Sequence, residues 1–259
     1  MMIQGRPISK GRARAQLVLL QRPFSFLGGV DPSTGKLNAS AGHGGEVISG
    51  KVFAFPAGRG STVGSYTILQ MKRMRTLPAA IVNSKAETIV ATGAVMAGVP
   101  MVDGVDLSLL KDGDSLTVDG DAGTLEIEGV DERHVVTSVL LHERKILILK
   151  RSDKVGTYQG LWAGVSGYIE QGEMPLETAN REIVEETGFR SAKLVKEGEV
   201  QSIRARDRVW RVHPFLFRVE NDNPTIDWEH TEYRWISSEV VESYDTVPGF
   251  ARVLRALGF

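Results

Sequence analysis

Cysteine is missing altogether from the 259 residues. Its absence excludes disulfides, thiolate nucleophiles and any iron–sulfur cluster held in the usual way by this chain alone. A surplus of charge is missing too: 31 Lys and Arg stand against 32 Asp and Glu, for a formal net charge of −1. Such a balance offers no general attraction to nucleic acid or to an anionic membrane, and no local basic patch stands out to supply one. No apolar run is long enough to span a bilayer, and no basic start leads into an apolar stretch with a small-residue cleavage site. The expected location is therefore the cytoplasm. What the chain does have is 42% hydrophobic and 24% charged residues, a globular composition with length for one large core or two smaller ones. Two are expected, over residues 1–130 and 134–259, with the polar stretch Glu128-Gly-Val-Asp-Glu-Arg133 between them.

The first half is built of short alternating or apolar runs punctuated by glycine, which read as strands at 15–20, 50–55, 79–82, 115–118 and 123–127. Residues 62–74 and 87–96 read as helices, the second against the propensity of Thr88, Ile89, Val90 and Gly93. Between a buried strand and the first helix lies Pro56-Ala-Gly58-Arg-Gly60-Ser61-Thr62-Val-Gly64. Glycines let a backbone approach a ligand, and N–H groups at a helix start favour an anion. The same residues also describe a structural turn capped by Ser61 or Thr62. The spacing is neither the dinucleotide fingerprint nor a phosphate loop ending in G-K-[ST].

The second half opens on strands at 135–141 and 145–150, a hairpin around His142-Glu143-Arg144. Pro175 suits the first turn of a helix and Gly188 its end. On that helix the i, i+3, i+4 spacing stacks Glu182, Glu185 and Glu186, while Leu176, Ala179 and Ile183 form an apolar stripe about a quarter turn away. Like charges this close repel unless a cation sits among them; oxygen-only ligands favour Mg²⁺ or Mn²⁺. A solvated acidic face is the other reading of such a run. Trp162 reads as a packing residue or a stacking platform, and Arg204, Arg206, Arg208 and Arg211 as phosphate ligands or a solvated hairpin tip. They join strands at 198–205 and 209–219; a helix from about 237 and a packing helix at 248–257 close the chain.

Gly167-Tyr-Ile-Glu-Gln-Gly-Glu173 followed after seven residues by Arg181-Glu-Ile-Val-Glu-Glu-Thr-Gly-Phe189 resembles the Nudix box, G-x5-E-x7-R-E-U-x-E-E-x-G-U, at every specified position. The resemblance implies an α+β Nudix fold, a mixed sheet with flanking helices, and hydrolysis of a diphosphate linkage. By it Glu182, Glu185 and Glu186 bind the metal, Glu182 or Glu185 is a catalytic base, and Glu173 and Glu229 are further acids. Arg181 orients the glutamates and contacts substrate, and Gly167 allows a tight loop that returns Glu173 to the helix. Isopentenyl diphosphate isomerase, a Nudix-fold enzyme that relies on a cysteine, is disfavoured.

Ser25-Phe-Leu-Gly-Gly-Val-Asp-Pro32, the Phe55–Tyr66 stretch, Ala80-Ile-Val-Asn83 and Gly98-Val-Pro-Met-Val-Asp-Gly104 look, in this order, like the small subunit of aconitase X, whose archaeal form is the phosphomevalonate dehydratase of the mevalonate pathway. The resemblance implies a swivelling β/β/α, barrel-like domain in which Ser61, flanked by the substrate-binding Gly60 and Thr62, removes a carbon-bound proton. It also implies a [4Fe-4S] cluster, which a cysteine-bearing large-subunit partner would have to bring. Two rival readings follow: a hydrolase on a scaffold, and a lyase subunit with a regulatory Nudix module. If the two halves share a pathway, an isoprenoid diphosphate is a candidate substrate.

Overall fold

A computed structural model describes residues 1–39 and 44–259, which divide into two compact units, 1–130 and 131–259. In the first, Met2–Gln4 (β1), Arg6–Ser9 (β2) and Arg12–Leu19 (β3) precede a short turn of helix at Phe26–Gly29 (α1) and a two-residue ribbon of Val30–Asp31 (β4) with Lys36–Leu37 (β5). Then come Val52–Phe55 (β6), Gly64–Met74 (α2), Ala80–Asn83 (β7), Thr88–Ala97 (α3), Met101–Asp103 (β8), Ser115–Asp119 (β9) and Thr124–Ile127 (β10). The eight larger strands form one sheet in the order β1-β10-β9-β3-β6-β7-β8-β2.

Strand β3 belongs to both halves of that sheet. Its first part, Arg12 to Gln16, runs antiparallel to β9, and its last part, Leu17 to Leu19, runs parallel to β6. The parallel strands β6, β7 and β8 are buried throughout and apolar except for Asn83 and Asp103 at the ends of β7 and β8, as strands covered on both faces tend to be. Helices α2 and α3 close over them: Ile68, Met71, Val90 and Ala94 pack with Val18, Phe53, Phe55 and Ile81. The sheet fits the β/β/α expectation, but β1 and β2 are the two ends of its path, and no pairing among the described residues closes it into a barrel. Strands β1, β2 and β8 escape the sequence reading because they have three or four residues each, too few to show a period.

The second unit contains Asp131–His142 (β11), Lys145–Arg151 (β12), Trp162–Ala163 (β13), Val165–Tyr168 (β14), Pro175–Thr187 (α4), Lys193–Glu197 (β15), Gln201–Ala205 (β16), Arg208–Arg218 (β17), His230–Ile236 (β18) and Phe250–Leu257 (α5). The polar residues Asp131 to Arg133, read as linker, are the start of β11, which runs parallel to β17 from its first residue. Further along, β11 also pairs with β14 and turns back into β12. Alternation divides this long strand between two cores. Val136 and Leu140 face α4 with Ala179 and Ile183, while Val135 and Val139 face α5 with Phe250 and Val253. Instead of an α-helix from about 237, a 3-10 turn spans Ser238–Ser243. Among the described residues no helix is long and apolar enough to cross a membrane.

One buried charge anchors the first unit. Asp103, almost fully buried, accepts two hydrogen bonds from the Arg6 guanidinium at 2.8 and 2.7 Å and one from the Ala86 amide at 2.8 Å. The Arg6 hydrogen bonds hold its carboxyl below the usual carboxylate range against the opposing effect of burial. A carboxyl whose folded pKa is depressed contributes stability above the unfolded value, about 3.9, and loses it as pH falls through the folded value. Asp103→Asn is therefore expected to speed amide exchange across β7 and β8 by about tenfold at pH 7. That difference from the parent should shrink below about pH 4; an effect equal at pH 7 and pH 3 would refute the assignment.

Candidate functional sites

The acidic helix α4 begins at Pro175 and ends on Gly188, whose φ of 73° is the left-handed cap that glycine adopts without strain. Its acidic face is not entirely turned from the core. Glu186 follows Ala179 by seven residues, two turns less about 20°, so it shares the buried stripe. Leu176, expected in that stripe, is instead 36% exposed at the first turn.

Glu186 is 3% exposed. Its Oε1 accepts the Ser166 amide at 3.2 Å, and its Oε2 is buried without a hydrogen-bond partner. That second oxygen lies 3.6 Å from Nε2 of His230, whose Nδ1 is 3.1 Å from Asp227 Oδ1. Burial first, then the nearby charges of Glu182, Glu229 and Asp227, push the Glu186 carboxyl well above the usual range against the Ser166 amide. Glu182 is pushed up by burial as well, against the neighbouring Arg181.

Arg181 is the counter-charge of the site. Its Nη1 donates to Glu182 at 2.8 Å and to Glu185 at 3.2 Å, and its Nη2 donates to Glu173 at 3.5 Å. Glu173 also accepts the Glu170 amide and the Thr178 hydroxyl, and these bonds, the amide first, lower its pKa. The three glutamates thus do not converge on one point: Glu182 and Glu185 reach toward Arg181, and Glu186 turns inward. Among the described residues no three acidic or imidazole side chains are gathered as an ion-holding group. The donor set nevertheless fits a hard divalent cation in its chemistry, being all carboxylate oxygen. The Glu186 oxygen without a hydrogen-bond partner, near three further carboxylates that destabilise its charge, is the place where positive charge would be most favoured.

Gly167 sits in strand β14, not in a loop. A Cβ there would collide with the Glu182 carboxylate, so glycine makes the room into which that side chain folds.

Beside these acids lies a cavity of about 290 Å³. Arg151, Glu170, Arg181, Glu182 and Glu229 are its charged lining residues, and Val135, Val212, Ile203, Phe250 and Val253 are among its apolar ones. Burial and Asp227 raise the Glu229 carboxyl while Arg151 opposes them. Asp227, His230 and Arg151 were invisible as site residues in the sequence; the Asp-x-x-His spacing hints at a pair but not at its meeting with Glu186. The hairpin arginines lie elsewhere: Arg211 binds Glu132 at 3.0 Å, and Arg208 covers the Trp210 ring at 5.1 Å. The arginines that face the cavity are Arg151 and Arg181. Trp162 is a buried packing residue in the α5 core.

In the first unit Gly60, at φ 108°, turns the chain before Ser61 and Thr62, both exposed. Helix α2 starts at Gly64, two residues later than read from sequence, and its cap residue is Val63, without a side-chain cap. Ser61 serves the turn in another way: its Oγ accepts the Val63 amide at 3.4 Å and its carbonyl accepts the Gly64 amide at 2.9 Å. Two of the N–H groups at this helix start are therefore engaged by Ser61 itself. Asn83 is buried in the core and donates to the Phe55 carbonyl at 2.7 Å.

Residues 2–127 match the family description "Aconitase X swivel domain", and residues 132–257 match "NUDIX domain". Over 129 residues the chain is 52% identical to the phosphomevalonate dehydratase small subunit of Thermococcus onnurineus, covering 49% of this chain and 99% of that one. The crystal structure of Thermococcus kodakaraensis aconitase X in its holo-form shares 48% identity over 49% of this chain and 98% of its own, with a TM-score of 0.48. A MutT protein from Methanosarcina mazei shares 23% identity over 50% of this chain and 98% of its own, with a TM-score of 0.41.

All 4 tryptophans, at 162, 210, 228 and 235, lie in the second unit, so their fluorescence reports on it alone. Gly167→Ala, which drives a methyl group into the Glu182 carboxylate, is expected to cost this unit about 1–3 kcal/mol in fluorescence-monitored urea unfolding. An unchanged midpoint would show that Glu182 is not held where β14 and α4 meet.

Proposed function

We propose that this chain, which belongs to the phosphomevalonate dehydratase small-subunit family through its aconitase X swivel domain and continues into a NUDIX domain, hydrolyses a diphosphate linkage with Mg²⁺ or Mn²⁺ held by Glu182, Glu185 and Glu186. The observation that carries the reading is the buried Glu186 oxygen without a hydrogen-bond partner, close to Glu182 and Glu229, which themselves line a cavity. A bare acidic surface has no reason to bury a carboxylate in this way.

When bound, the ion supplies positive charge beside the diphosphate and makes water more acidic. The chain's own groups do the rest. Arg181 holds Glu182 and Glu185 by charge-assisted hydrogen bonds, with Glu173 as its third partner. Arg151 faces the cavity, and its planar guanidinium suits phosphate oxygens. Glu182 and Glu229, whose carboxyls burial makes more basic, are placed to take a proton from the attacking water. His230, tied to Asp227 and beside Glu186, is a positioning residue for that glutamate.

A second reading concerns the first domain and is favoured by its 52% identity to a dehydratase small subunit. In it Ser61 removes a carbon-bound proton, Gly60 and Thr62 contact the substrate, and a separate cysteine-bearing large subunit brings the [4Fe-4S] cluster that this cysteine-free chain lacks the ligands to hold. Both activities belong in the cytoplasm.

Phosphate or monophosphate release by the purified full chain with Mg²⁺ tests the first reading. Glu186→Gln is expected to lower turnover by about a hundredfold or more, and chelation to abolish it. Turnover surviving both treatments, or silence of the folded parent across a broad diphosphate panel, would remove the hydrolase reading and leave the lyase-subunit one.

A further inference from the structure

We infer that the diphosphate received by the cavity of the second unit carries a short hydrocarbon group in place of a nucleobase. This rests on the hydrolase reading above and gives its substrate a chemical class.

Two chemistries line the cavity. Its charged groups are close to one another, Arg181 binding Glu182 while Glu229 acts on Glu182 and Arg151 on Glu229, and the phosphates belong with them. Val135, Ile203, Val212, Val247, Phe250 and Val253, from three strands, a loop and α5, also line the cavity and pack in one apolar cluster. Three of the hydroxyls that line the cavity, of Tyr158, Thr137 and Ser166, each have a partner. The Tyr158 hydroxyl accepts the Trp210 indole N–H at 2.9 Å. The Thr137 and Ser166 hydroxyls are 3.2 Å apart, and Ser166 Oγ donates to the Gly164 carbonyl at 3.1 Å. A nucleobase presents a row of donors and acceptors along its edge, and burying them against aliphatic carbon leaves them unpaired.

Stacking offers no substitute. Trp210 is 9% exposed, with Arg208 5.1 Å over its ring and the rings of Tyr158 and Tyr168 within 6.2 and 6.0 Å. Arg208 covers the ring and the two tyrosines meet it at a tilt, so little of it is open to a stacked base. Tyr168 is the one ring of this group with substantial exposure, at 48%, and it serves below to separate the two substrate classes. A hydrocarbon group needs no partner and gains from leaving water. Tyr158 keeps a left-handed backbone, φ 54°, on a loop that lines the cavity, a conformation a tyrosine holds only when its surroundings require it.

The reaction is then attack by water on the terminal phosphorus of the hydrocarbon diphosphate. The bond from that phosphorus to the bridging oxygen breaks, releasing orthophosphate and the hydrocarbon monophosphate, with the water proton passing to a carboxylate and on to solvent.

The test uses the full chain with Mg²⁺ and compares isopentenyl and geranyl diphosphates with nucleoside triphosphates and ADP-ribose, each product followed by phosphorus NMR. A hydrocarbon diphosphate is expected to exceed the best nucleotide in kcat/KM by about tenfold or more. Val247→Asn should raise its KM about tenfold with kcat nearly kept, and the milder Val135→Thr should act in the same direction. Tyr168→Leu should leave hydrocarbon turnover within about twofold, whereas a stacked base would lose at least about fivefold. A nucleotide turned over best, or an unchanged KM in both valine variants, would overturn the inference while leaving the hydrolase reading standing. If nothing is hydrolysed, that reading falls, and calorimetric titration with isopentenyl diphosphate and Mg²⁺ decides the inference alone. Binding that Val247→Asn weakens supports it, and no binding overturns it.

Discussion

The burial of negative charge where α4 meets β14 is the constraint on which the second unit is arranged. Ala179 and Ile183 draw the helix onto the sheet, and helical geometry brings Glu186 down with them. The cost of that burial is met locally by the Ser166 amide on one side and by Arg181 holding the neighbouring acids on the other. Gly167 follows from the same approach, since a side chain there would displace the Glu182 carboxylate from its place against the strand. The metal chemistry proposed for this site is thus prepared by ordinary packing. An apolar stripe positions the acids, and the acids remain under electrostatic tension that a cation relieves.

The first unit meets a different constraint. Its parallel strands are buried on both faces and largely apolar, and they require cover, which α2 and α3 provide on one side. The turns between strands and helices then carry the polar work, and the segment from Gly60 to Gly64 is one of them. Ser61 stands exposed there, with its own carbonyl and hydroxyl ordering the helix start. A serine so placed is exposed yet fixed in position, so the structural turn is compatible with the reactive role proposed for Ser61.

Much of this was readable along the chain because it is local. The caps at Pro175 and Gly188, the hairpin at His142-Glu143-Arg144 and the spacing of Glu182, Glu185 and Glu186 depend on neighbours within a few residues. The short strands β1, β2 and β8 were not readable, since their place is fixed by partners such as β10 for β1 and β8 for β2. Leu176 and Glu186 exchanged their expected environments for a similar reason: the wheel gives the angles between side chains, and the packing of the sheet decides where the buried sector is centred.

The sequence by itself determined the two-part division, the acidic helix and the glycine turn, because composition, capping and periodicity act over short distances. It also determined that this chain supplies no cysteine ligand for an iron–sulfur cluster. Only the tertiary structure decided that Asp227, His230 and Arg151 join the glutamates, and that Arg181 rather than the hairpin arginines faces the cavity. It alone decided that charged side chains and an apolar cluster line the same cavity. Those juxtapositions unite residues up to a hundred positions apart, and no local preference carries information over that distance; the pairing of β11 with β17 and the closing of α4 and α5 over the sheet do.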